Sequence, residues 1–151
     1  MRITGGTLTL DSGTIYNDAI ASSAAVDADK MQHCYKPGTN FNTTLTGTPA
    51  TREEIVFCAS QIGTVRAFNA LVYTPGSSAS ITIDLKKNGT TMCSSVITLT
   101  NSSTAKAVYA GTLSTTAFAA DDILSLSMTV SSSTGMQGVY AWIELEENTA
   151  P

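Results

Sequence analysis

His33 and Cys34 are adjacent. A histidine beside a thiol is the pairing that nucleophilic catalysis uses, with the imidazole taking the proton from sulfur. On a strand, however, neighbours point to opposite faces, so these two side chains diverge. His33 is the sole histidine, and only the fold could bring Cys58 or Cys93 to it. The expected role of His33 is therefore structural. Carboxylates come in adjacent pairs at Glu53-Glu54, Asp121-Asp122 and Glu146-Glu147. Glycoside hydrolysis needs two carboxyl groups converging across a cleft. Sequence neighbours on strands do not converge, and all three pairs are expected at solvated strand ends. Asp27 and Asp29 could face one cation, but they bring no third ligand nearby. A Gly-rich phosphate loop and a Gly-x-Ser-x-Gly elbow are both absent. No catalytic, cofactor-binding or metal-binding residue is assigned, and the chain is expected not to be an enzyme.

Cys34, Cys58 and Cys93 form no C-x-x-C pair, and an odd number does not suit a secreted disulfide framework. They are expected as free, mostly buried thiols in a protein made in a reducing cytoplasm. Met1-Arg2-Ile3 leads into Gly, Thr and Asp rather than an apolar stretch, so no signal peptide is read. No apolar run approaches the length of a spanning helix, and no membrane role is expected. The sequons at Asn42, Asn88 and Asn101 are then chance occurrences in a Thr- and Ser-rich chain. Charged residues make up 13% of the chain, about half the usual share. Ser and Thr take their place and keep strands soluble. The net charge is −4 and the eight Lys and Arg are scattered, with only Lys86-Lys87 adjacent. A nucleic-acid partner would call for a basic patch, so that class is excluded.

The residues left to carry a function are aromatic. Tyr140 and Trp142 alternate on the polar face of the last strand, where Glu144 and Glu146 continue the row. Such a pair makes either a sugar-stacking platform or a protein-contact patch covered by a loop, an arm or another subunit. Tyr73 and Tyr109 are further candidates for the same surface.

The elements that would position these residues read as strands. Around the hairpin at Asn88-Gly89, Ile81, Ile83 and Leu85 face one way, while Ser80, Thr82, Asp84 and Lys86 face the other. Leu124, Leu126, Met128 and Val130 are expected inward, with Ser125, Ser127 and Thr129 outward. Val139, Ala141, Ile143 and Leu145 are likewise expected inward. Further strands are read at Met31–Lys36, Glu53–Ala59, Thr64–Thr74 and Ala105–Leu113, with a long loop over Thr39–Arg52 and a corner at Phe118–Asp122. In Thr64–Thr74, Val65, Ala67, Leu71 and Tyr73 share one face and Phe68 and Val72 the other, so both faces are expected to be covered. About eight strands at short spacing, with no helix of ordinary length, predict an all-β antiparallel β-sandwich, jelly-roll-like. An immunoglobulin-like sandwich is the nearest competitor, but Trp142 follows all three cysteines instead of lying between two. The sandwich is assigned to residues 31–147 and a tail to 148–151. Residues 1–30 read either as an extended N-terminal arm or as an ordinary edge strand and loop.

The hairpin Ser80–Thr90, the corner before an apolar strand at Ala119–Leu126, and a last strand entered through Gly138 resemble the small jelly-roll decoration, or cement, proteins of tailed-bacteriophage capsids. The likeness covers about residues 60–147. Where such proteins often have Gly-Asp in the corner, this chain has Ala120-Asp121-Asp122. The resemblance implies a homotrimer on the capsid exterior that binds the major capsid protein and stabilises the shell, made in the host cytoplasm. It carries no catalytic residues. A carbohydrate- or receptor-binding module of a phage tail or fibre is the alternative on the same kind of sandwich.

Overall fold

A computed structural model describes residues 33–41 and 45–147. The arm at 1–30, Asp27 and Asp29, the sequon at Asn42, the tail at 148–151 and the side chain of His33 lie outside the described residues. One sheet holds β1 (His33–Tyr35), β2 (Gly38–Asn40), β4 (Gly63–Thr74), β9 (Tyr109–Ala110), β11 (Ala117–Phe118) and β13 (Gln137–Glu147). In it β1 and β2 lie on one side of β13, β4 on the other, and β9 and β11 beyond β4. The second sheet holds β3 (Arg52–Cys58), β12 (Ile123–Thr134) and β5 (Ser78–Lys87) in that order, with β6 (Thr90–Thr91) and β8 (Ile97–Thr100) on the far side of β5. A small third ladder joins β7 (Cys93–Ser95) to β10 (Thr112–Leu113). All pairings are antiparallel.

Counted as lines, with β1–β2, β6–β8 and β9–β11 each one interrupted line, the strands number eight in two sheets ordered 1-8-3-6 and 2-7-4-5. That is the jelly-roll order. Successive lines change sheet at every step but one. The exception is the Lys87–Thr90 hairpin, where Asn88 and Gly89 take φ of 49° and 80° as a type I′ turn requires.

The core lies between the sheets. Ile81, Ile83, Leu85, Leu124, Leu126 and Met128 from one sheet meet Val65, Phe68, Val72, Val139, Ala141 and Ile143 from the other. Each such Val, Leu, Ile, Phe or Met side chain contributes roughly 1.5–3 kcal/mol on leaving water. The expected inward rows of β12 and β13 are found, apart from Val130, which is half-buried against the core. Ser125 points outward as expected yet is buried, its hydroxyl donating to Glu53 Oε1 at 2.6 Å.

Two mixed strands are explained by bulges, each adding one residue and turning the following side chains over. In β4, Ala67 pairs with Glu144 but Val65 pairs with Leu145, leaving Arg66 as the extra residue. Gly63 and Val65 therefore face inward before it, and Phe68, Ala70 and Val72 after it. The expectation of a strand covered on both faces is corrected: β4 has one inner face whose phase shifts. In β3, Phe57 pairs with Leu124 and Ile55 with Ser125, so Val56 is extra, and both Val56 and Phe57 pack on the core.

Other expectations change in detail. The strand expected over Ala105–Leu113 breaks at Gly111, because β9 joins one sheet and β10 pairs with β7. Phe118, expected at a corner, belongs to β11 and is buried. The loop expected from Thr39 begins as β2. Among the thiols, Cys34 and Cys58 are exposed and Cys93 is half-buried, so the expected mostly buried set is corrected.

Candidate functional site

β13 runs through the middle of its sheet and presents Tyr140, Trp142 and Glu144 to the outer face. Tyr140 lies between Leu71 of β4 and Asn40 of β2, and Trp142 between Asn69 and Gly38. The two rings stack, with centroids 5.7 Å apart and planes at 24°. Gly38 makes room for them: a Cβ there would stand 2.6 Å from the Tyr140 hydroxyl and 2.7 Å from Trp142 Cβ. Tyr140 is 37% exposed and Trp142 is half-buried.

A row of ion pairs borders the rings. Lys36 Nζ lies 2.8 Å from Glu144 Oε1. That contact holds the Glu144 carboxyl below its ordinary range, against a smaller opposing effect of burial. One residue pair further on, the Arg66 guanidinium meets the Glu146 carboxylate. Glu146 is 7% exposed, and Glu147 is 6% exposed. Glu147 accepts hydrogen bonds from the backbone N–H groups of Ser60 and Gln61, at 2.7 and 3.1 Å, and from the Ser60 hydroxyl. The solvated strand end expected for Glu146-Glu147 is thus corrected. One carboxylate is buried under the bulge arginine, and the other clamps the last strand to the loop before β4. An open hollow of about 240 Å³ lies here, lined by Cys34, Lys36, Arg66, Glu144 and Glu146.

Tyr73 joins the same face. It stands opposite Gly138 in the register that pairs Thr74 with Gln137 and Val72 with Val139, and so lies diagonal to Tyr140. Gly138 has φ of 65°, and a Cβ on it would come within 2.6 Å of both Tyr73 Cβ and the Leu45 carbonyl oxygen. Lys106 Nζ sits 4.4 Å from the centre of the Tyr73 ring. Tyr109 is placed elsewhere. Its strand partner is the fully buried Ala70, its ring packs on the core, and its hydroxyl accepts the Thr104 N–H at 2.6 Å. That hydrogen bond lowers the phenol pKa. Three of the four aromatic candidates therefore share one surface.

Sequence reasoning missed Gly38, Lys36 and Arg66. Pro-Gly signals a turn at Pro37-Gly38, but what Gly38 packs against is set by its pairing with β13. Among the described residues no three of His, Cys, Asp and Glu converge as a metal site. No described helix is long and apolar enough to cross a membrane.

No protein-family model matches the chain, and no curated protein matches it. Among solved structures it is similar to the C-terminal domain of EclA, described as a sugar-binding protein, with a TM-score of 0.33 and 16% identity over 94% of this chain and 98% of that one.

Proposed function

We propose that this chain is a virion structural protein: a decoration, or cement, protein that attaches as a homotrimer to the major capsid protein on the shell's exterior and stabilises the shell by contact, without catalysing a reaction. The observation that carries this reading is the state of Tyr140 and Trp142. Their rings stack on each other, and the Lys36–Glu144 and Arg66–Glu146 ion pairs border them. An aromatic centre rimmed by charged and polar groups is the anatomy of a protein contact. Trimeric valency would multiply modest contacts into tight attachment without any single strong site.

The test is native mass measurement of the free protein, with co-sedimentation on undecorated shells. Trimers that bind shells, and lose binding in Trp142→Ala while remaining trimers, are expected. A monomer that ignores shells would refute the reading. A second reading, a carbohydrate- or receptor-binding module, draws on the open hollow that begins at Glu144, two residues along β13 from Trp142, with Lys36, Arg66, Glu144 and Glu146 on its walls. Glycan-array binding abolished by Trp142→Ala, with oligomeric state intact, would favour it over capsid attachment.

A further inference from the structure

We infer that Asn88 is a deamidation site that the fold holds shut through Asp122. Asn88-Gly89 is the chain's sole Asn-Gly pair. Both residues are exposed at the hairpin tip, and nothing lies within 4 Å of where a Gly89 Cβ would stand. An asparagine followed by glycine is prone to self-attack because no following side chain shields the backbone nitrogen. The Gly89 nitrogen loses its proton and adds to Asn88 Cγ. The new C–N bond closes a five-membered succinimide, and the Cγ–Nδ2 bond breaks to release ammonia. Water then opens the ring at either carbonyl, leaving aspartate or isoaspartate. No oxidant or reductant takes part.

In the fold the amide is aimed elsewhere. Its Nδ2 donates to Asp122 Oδ1 at 2.6 Å, and its Oδ1 accepts the Ile123 N–H at 2.9 Å. The Asn88 backbone N–H also donates to the Ile123 carbonyl at 2.9 Å. Asp122 is itself fixed, its Oδ2 accepting the Ala119 N–H at 2.8 Å with Lys87 Nζ at 3.7 Å. Reaching the Gly89 nitrogen requires the Asn88 side chain to leave both Asp122 and Ile123. The contact is also what the reaction destroys. A new carboxylate at position 88 has no N–H for Asp122 and sets like charges face to face. Deamidation would thereby unlatch the hairpin from the start of β12.

Peptide mapping by mass spectrometry, after incubation in mildly alkaline buffer, tests this by following the one-mass-unit gain at Asn88. Losing one or two ordinary hydrogen bonds corresponds to about a tenfold rate change. The folded wild type should therefore react at least about tenfold more slowly than the same chain in guanidinium chloride, with folded Asp122→Ala moving about tenfold toward the unfolded rate. If Asp122→Ala does not fold, the comparison of folded and denatured wild type decides alone. Equal rates in folded and denatured wild type, or a folded Asp122→Ala that reacts no faster than wild type, would overturn the inference.

Discussion

The Arg66 guanidinium closes over the Glu146 carboxylate, and Arg66 is the residue by which β4 outruns β13. The bulge thus places a cation above an acid that the sheet has taken out of water. Arg66→Ala would leave that acid uncompensated. Because the arginine side is itself more than half exposed, the cost should be roughly 1–2 kcal/mol, below that of a fully buried pair. Denaturant titration should show this loss, and most of it should be regained when Glu146→Gln is added.

Gly38→Ala should disturb the aromatic face from beneath. Its Cβ would meet the Tyr140 hydroxyl, the Ala141 carbonyl and Trp142 Cβ, all within 2.7 Å. Either the rings shift or β2 leaves β13, at about 1–3 kcal/mol. A changed Trp142 fluorescence maximum with a lower melting temperature is the expected result. Shell binding should fall with it.

Asp121 takes φ of 68° at the third position of the turn from Ala119 to Asp122. Glycine adopts that conformation freely. Asp121→Gly should therefore hold or raise stability, by up to about 1 kcal/mol, whereas Asp121→Val should lower it by about 1–2 kcal/mol. Thermal melts should place Asp121→Val below the wild type and Asp121→Gly at or above it.

Three carboxyls are held below their ordinary values. Asp122 is held chiefly by the Ala119 N–H, Glu53 by Lys86 and then Ser125, and Glu144 by Lys36. For a depressed carboxyl the stabilisation is present above the unfolded pKa and is lost as pH falls through the folded one. Stability should thus hold through neutral pH and decline below roughly pH 4. Unfolding midpoints measured across that range should fall less steeply in Asp122→Asn, which also starts from a lower neutral value.

Thiol labelling should separate the cysteines. Burial pushes the Cys93 thiol up to about 11, so its thiolate is scarce at neutral pH. Cys34 and Cys58 are exposed. Two fast modifications and one slow one are expected from maleimide labelling of the native protein, and equal rates would contradict the placement of Cys93.

The period of two in β5, β12 and β13 and the Asn88-Gly89 turn were legible directly, because strand alternation and a type I′ turn depend on local residue types alone. From them follow the all-β class and the inward rows of these strands. The pairing of Tyr140 with Trp142 on one face was legible for the same reason. Where a bulge falls is not local, since an extra residue is defined only against the strand opposite. Arg66 therefore moved Val65 to the face of Phe68 and Val72, and Val56 let two successive residues of β3 pack on the core. Glu146-Glu147 read as solvated because charge predicts exposure; Arg66 and the Ser60-Gln61 backbone, 80 or more positions away, supplied partners that let both be buried. Tertiary structure alone decided that Tyr73 stands with Tyr140 and Trp142 while Tyr109 turns to the core, because strand partners in a jelly roll come from distant parts of the chain.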